Sequence, residues 1–166
     1  MSRLIHYADK PLTAVHSVQQ GGADDYRPFK PKGLWVSVEG DDDWPSWCKS
    51  EGFALEKLAC ATEVVLRDAA SILWIKDADE LDRFSEEYAY DPFAMPLAMR
   101  NKMAARWWVV AERWQGIIIA PHIYSRRLSP QHSWYYSWDC ASGCIWDGDA
   151  VAELRQLMLP VSEEAS

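Results

Sequence analysis

The chain has 166 residues, 49% of them apolar and 25% charged, a length and balance that suit one domain with a substantial core. Its net charge of −8 argues against a broad electrostatic grip on nucleic acid or an anionic membrane. Ten tryptophans are not ordinary for a chain of this length; Trp35, Trp107, Trp108 and Trp114 read mostly as core, with one or two of them expected to touch a ligand.

Leu4-Ile5-His6-Tyr7-Ala8 is a short apolar run ended by Asp9-Lys10-Pro11, which predicts a first strand with His6 on one face and Tyr7 on the other. Residues 17–32 are rich in Gly, Gln, Asp, Pro and Lys without periodicity and read as a long exposed loop. Lys30-Pro31-Lys32-Gly33 delivers an alternating strand, with Leu34, Val36 and Val38 on one face and Trp35 and Ser37 on the other. Asp41-Asp42-Asp43 supplies an N-cap for a short aromatic helix from Trp44 to about Phe53, with Pro45 in its first turn.

Thr62–Leu66 and Ser71–Ile75 carry β-branched residues and are expected to pair or lie side by side. Asp77 to Glu80 opens a helix whose stripe is Leu81, Phe84 and Tyr88. Residues 89–99 hold two prolines and read as a surface excursion. Met103, Trp107, Val110, Ala111 and Trp114 predict a helix over 101–114, ended by Gly116. Ile117-Ile118-Ile119-Ala120, apolar on both faces, reads as a central strand, and residues 122–131 link it to an aromatic segment.

The stretch from Trp134 to Asp147 concentrates three tryptophans, two cysteines and a carboxylate, Asp139. Alternating aromatics predict a strand from His132 to Trp138, and Ala141-Ser142-Gly143 reads as a tight turn with Gly143 free to take positive φ. Asp139 would end that strand. A carboxylate among aromatics is expensive to bury unless hydrogen-bonded or used, and turn capping is its plainer role. Asp147 to Met158 predicts a closing helix with Val151, Leu154 and Leu157 inward, and residues 163–166 a frayed end.

No segment approaches about 18 uncharged apolar residues, so no spanning helix is expected. No long apolar run comes after Met-Ser-Arg-Leu either, which points to a cytoplasmic protein without a signal peptide. Cys140-x3-Cys144 is one residue wider than a redox pair, and no other Cys or His pair completes a zinc site. The four thiols therefore read as free, with no metal. Strands separated by helices without a strict βαβ rhythm predict one α+β domain over residues 1–166, with a twisted, partly split sheet and flanking helices.

Lys32-Gly33-Leu34-Trp35-Val36-Ser37, Trp114-Gln115-Gly116-Ile117-Ile118-Ile119 and the segment from Trp134 to Trp146 resemble bacteriophage-encoded ADP-ribosyltransferase-like proteins over roughly residues 3–155. The resemblance implies an ADP-ribosyltransferase-like split sheet that grips NAD, as substrate, with residues from three strands. By position, His6 would bond the nicotinamide-side ribose with Tyr7 beside it, while Trp35 and Ser37 would shape the nicotinamide pocket. The family's glutamate is absent from the aromatic segment, and Asp139 takes its place. Asp139 and His6 are thus the candidate catalytic residues. Arg126 or Arg127, or Lys30 and Lys32, are the candidates for the pyrophosphate.

The implied activity is transfer of ADP-ribose to a macromolecular acceptor, a host or defence component. Two other readings stay open: an inert aromatic-cleft protein that binds a nucleotide or a protein partner, and a nucleic-acid base modifier on the same scaffold. The charge of −8 counts against the last.

Overall fold

The computed structural model describes residues 2–22, 29–96 and 100–159. Among the described residues, seven strands form one sheet in the order β4-β7-β8-β2-β1-β3-β9, and a two-stranded ribbon, β5-β6, lies apart from it. The strands are β1 (Leu4–Ala8), β2 (Leu34–Val38), β3 (Cys60–Leu66), β4 (Ile72–Ile75), β5 (Ala89–Tyr90), β6 (Ala104–Ala105), β7 (Gly116–Ile119), β8 (Ser142–Ile145) and β9 (Val151–Leu157). The pair β4 and β7 runs parallel, and the other pairs in the sheet are antiparallel. The α-helices are α1 (Trp44–Glu51), α2 (Ala78–Tyr88) and α3 (Trp107–Val110). The architecture is a single α+β domain.

Local sequence explains the elements that read correctly. Asp43 and Asp77 each accept a hydrogen bond from the backbone N–H three residues on, which caps α1 and α2. Gly52, in left-handed conformation, ends α1. The stripe of α2 buries Leu81, Phe84 and Tyr88 together with Trp107 and Trp134 on one face of the sheet. Leu4, Val36, Val38, Val64 and Ile145 pack on the other. Ile118 turns to that second face while Ile117 and Ile119 face the aromatic core, so β7, held between β4 and β8, is buried on both sides.

Five expectations are corrected. Residues 132–138 are not a strand but part of a 3-10 helix, Pro130–Ser137, in which the consecutive Trp134 and Tyr135 are both buried. Alternating identity there did not mean alternating burial. Ala141-Ser142-Gly143 is not a tight turn but leads into β8, where Gly143 serves close approach and not positive φ. A Cβ on it would stand 2.5 Å from the Ile117 carbonyl oxygen.

The predicted neighbours β3 and β4 lie far apart in the sheet, because β1, β2, β8 and β7 come between them. The helix expected over 101–114 shrinks to α3. The backbone before it bonds elsewhere, Lys102 N–H to the Pro130 carbonyl and Arg106 N–H to that of Tyr88. Finally, 147–158 is a 3-10 turn (Gly148–Ala150) followed by β9, not a helix. β9 is an edge strand paired with β3, and its half-buried Val151, Leu154 and Leu157 recur every third residue and imitate a helical stripe.

The 17–32 loop is less detached than its composition implied. Gln20 is buried and its amide both donates to the Lys32 carbonyl and accepts from the Lys32 N–H. Part of that loop, part of the 89–99 excursion and the expected frayed end lie outside the described residues.

Candidate functional site: an aromatic cleft between the first two strands

The ladder between β1 and β2 holds only two residue pairs, Leu4↔Val38 and Ile5↔Ser37. Beyond Ile5, the His6 ring takes over: Nδ1 lies 2.8 Å from the Trp35 carbonyl oxygen. A carbonyl oxygen can only accept, so Nδ1 carries the hydrogen and the neutral ring keeps Nε2 as an acceptor. β1 meanwhile continues its pairing with β3 through Ala8. A cavity of about 360 Å³ opens beside this parting of the strands, within the usual size range for small-molecule sites.

His6, Tyr7, Trp35, Ser37 and Asp139 all line that cavity, together with Lys30, Trp44 and Trp138. These residues come from β1, the loop before β2, β2, the start of α1 and the stretch just past the 130–137 helix, so tertiary folding brings together six of the nine candidate positions. Trp35 and Trp138 meet edge to face at 4.8 Å between centroids. Ser37 Oγ accepts the Trp44 N–H at 2.9 Å, which ties β2 to the first turn of α1 and leaves the hydroxyl hydrogen able to donate. The Ser37 side chain thus joins two walls of the cleft.

Asp139 lies one residue beyond the Trp138 that ends the 3-10 helix. Its Oδ1 accepts from Arg127 Nη2 at 3.0 Å, and the Arg127 guanidinium also stacks over Tyr136 at 5.2 Å. Lys30 enters from the other side, with its ammonium 4.8 Å from the Trp35 centroid. Partial burial lowers the Lys30 pKa while the Asp139 charge pulls it back up. The Tyr7 phenol is raised, first by burial and then by the Asp43 carboxylate. The Cys140 thiol in the same wall is pushed up to about 12 by burial, which keeps it protonated and a poor nucleophile.

Two polar groups in the cleft wall, Ser137 Oγ and Trp138 Nε1, are buried and make no hydrogen bond among the described residues. Buried donors normally find a partner, which sets these two apart from the rest of the wall. Behind them, His122 anchors the segment. Its Nε2 donates to the Trp138 carbonyl at 2.7 Å, its backbone N–H donates to Asp42 Oδ2, and its ring stacks on Tyr135. That chain of contacts fixes the peptide from which Asp139 projects. No spacing or motif marked His122; the only sequence signal was its residue type.

Lys32 and Arg126 do not reach the cleft. Lys32 is exposed, with its backbone held by Gln20. Arg126 makes a two-pronged ion pair with Asp82, at 2.7 and 2.8 Å, in a separate polar cavity with His132. Lys30 and Lys57 line the cleft instead, and Arg127 reaches it through its bond to Asp139.

No protein-family model, curated protein or solved structure matches the chain. Its class therefore rests on what the structure defines: an α+β domain with an aromatic cleft where two sheet strands part. Among the described residues no helix is long and apolar enough to cross a membrane. No cluster of three metal-ligating side chains occurs among them either.

Proposed function

We propose that the cleft binds NAD by its nicotinamide–ribose half and that the protein transfers ADP-ribose to a macromolecular acceptor, a host or defence component. One observation carries the reading. A histidine from β1, an aromatic-x-serine pair from β2 and a late carboxylate surround one cavity, in the chain order that the resemblance to ADP-ribosyltransferase-like proteins calls for. The parting of β1 from β2 supports the split sheet that goes with it.

The chemistry of each group fits. His6 Nε2, fixed as an acceptor, suits a ribose hydroxyl. Ser37 can donate to the carboxamide, and Trp35 and Trp44 offer ring surface to a flat nicotinamide. Breaking the bond between ribose C1′ and the nicotinamide nitrogen sends the electron pair to the departing nicotinamide and leaves positive charge on the sugar. The acceptor's nucleophile then forms the new bond at C1′ and gives up its proton. Asp139, held in a partly buried wall, stabilises the intervening charge. Lys30 and Arg127 are the cations at hand for the pyrophosphate.

A second reading is favoured by the Arg127–Asp139 ion pair. It offsets the charge needed at C1′, as expected of an inert cleft that only binds its ligand. One experiment separates the readings. A ligand that binds only the native state, at about a hundredfold its Kd, stabilises by roughly 2.7 kcal/mol, which a melting curve detects. The transferase reading expects NAD to raise Tm and nicotinamide to be released on incubation. A raised Tm without release supports the inert binder. No shift with NAD, nicotinamide or ADP-ribose rejects both readings for this ligand.

A further inference from the structure

Trp44, which lines the cavity, stacks on Trp47 at 5.1 Å and 15° between ring planes. Phe53 packs edge-on to both, at 6.3 and 5.5 Å. The packing is one-sided: Phe53 is 53% exposed and Leu55, just beyond it, 51%. An aromatic platform so placed runs from the inside of a ligand cavity out to open solvent.

Its electrostatic setting selects among partners. Residues 41–57 carry five carboxylates, Asp41, Asp42, Asp43, Glu51 and Glu56, against Lys49 and Lys57. Of the two lysines, Lys57 is already paired with Asp9 at 3.6 Å. The platform is therefore apolar and borne by an acidic stretch of chain, in a protein with a net charge of −8. Such a surface repels a polyanion and favours a cationic partner that brings an apolar anchor.

We infer that this face, Trp47, Phe53 and Leu55 on an acidic stretch of chain, docks a basic protein segment bearing an aromatic or aliphatic anchor, and so presents the acceptor of the transfer reaction to the cleft. The assignment of that segment as acceptor rests on the NAD reading above; the docking itself does not. Trp44 bridges the two functions, since one ring wall faces the cavity and its stack continues outward. The acceptor class is then a protein with Lys or Arg beside a large apolar residue, and not DNA or RNA.

The test uses a fluorescein-labelled 15-residue peptide of Lys, Arg, Leu and Trp, a twin with every cation replaced by Glu, and a single-stranded 15-nucleotide DNA. Fluorescence polarisation should show saturable binding of the basic peptide, weakened by added salt, and little binding of the other two. The double substitution Phe53→Ser and Leu55→Ser should weaken the basic peptide by tenfold or more, as expected when anchors at the centre of an interface are lost. Both side chains are half exposed and outside the cavity, so folding and the NAD-induced Tm shift should be unchanged.

Equal binding by the acidic twin, tighter binding by the DNA, no binding of the basic peptide up to millimolar concentration, or an unaltered affinity in the double variant would each overturn the docking surface. A normal peptide affinity with no NAD response removes the transferase reading and leaves the surface standing. An NAD response with peptide modification equal in wild type and double variant removes the acceptor role.

Discussion

Two groups of tryptophans meet where Trp134 and Trp138 touch, 6.1 Å between centroids, and their indole nitrogens tell them apart. In the core under α2, Trp134 Nε1 donates to Ser85 Oγ at 2.9 Å, and nearby Trp146 Nε1 donates to the Trp114 carbonyl. Phe84, Trp107 and Trp134 lie 5.0–5.6 Å from one another in mutual contact. In the cleft, Trp138 Nε1 has no such partner among the described residues, and Trp35 and Trp44 are only half buried. The same residue type is structural where its ring and its donor are both satisfied by protein, and suited to recognition where either is left over.

The comparison can be broken most directly at Trp134. Trp134→Ala should cost about 3–5 kcal/mol, a large fraction of the total stability of such a domain. The urea midpoint should fall sharply, while the remaining folded protein keeps its response to NAD. A loss below about 1 kcal/mol would mean that the region under α2 is not the tightly packed side of the contrast.

Asp139→Asn tests the other region, in rate rather than stability. Losing a charge that acts only in the transition state typically lowers turnover by about 10²–10³, or roughly 3–4 kcal/mol, with ligand affinity nearly intact. Nicotinamide release measured beside the NAD-induced Tm shift gives both quantities. Unchanged release would remove Asp139 from the chemistry, and an unfolding loss above about 2 kcal/mol would mark it as a structural partner of Arg127.

Trp44→Ala sharpens the contrast between identical residues. Its ring is half exposed, so the stability loss should stay below about 1.5 kcal/mol, well short of Trp134→Ala. The NAD-induced shift should nevertheless shrink clearly. A stability loss matching that of Trp134→Ala would place Trp44 with the core.

The smallest effect concerns His122, which connects the two regions by stacking on Tyr135 and bonding the Trp138 carbonyl. Burial lowers its pKa, and Arg127 pushes the same way against the Trp138 carbonyl, Asp42 and Asp139. Its folded pKa thus lies below the unfolded value of about 6.5, so the unfolded chain binds the proton more readily. The stability from a neutral His122 is complete above that value and is lost as pH falls from about 6.5 through the folded pKa. His122→Gln keeps an N–H donor without the titration. It should reduce the acid-induced loss between about pH 7.5 and 5.5 by under about 1 kcal/mol, the remainder coming from His132, whose pKa burial also lowers. An identical pH profile in the variant would show that His122 does not sense acid.

The legible parts of the molecule were those fixed within a few residues. β1, β2, α1, α2 and β7 arise from alternation, from the Asp43 and Asp77 caps, and from apolar runs, all of which act through adjacent backbone. The candidate residues on β1 and β2 could be named for the same reason, since their strands could be drawn. Among Lys30, Lys32, Arg126 and Arg127 no periodicity decided which side chain turned toward the cleft. In a loop or a short 3-10 turn, one residue of offset redirects a side chain entirely.

By itself the sequence determined the α+β class, the first two strands, two capped helices and an acidic surface, because charge and local hydrogen bonding depend only on near neighbours in the chain. Tertiary structure alone decided that residues 130–137 coil while 142–145 extend, and that β3 and β4 part to distant places in the sheet. It also decided that β9 is a strand despite its three-residue spacing. Each of those outcomes depends on where a distant carbonyl or ring offers a partner. The Pro130 carbonyl for Lys102, the Ile117 backbone against Gly143 and β3 alongside β9 are all supplied by residues remote in sequence. The cleft is of that kind too: it lies where the His6 ring bonds the carbonyl of Trp35, 29 residues away, just past the last pair of the β1–β2 ladder.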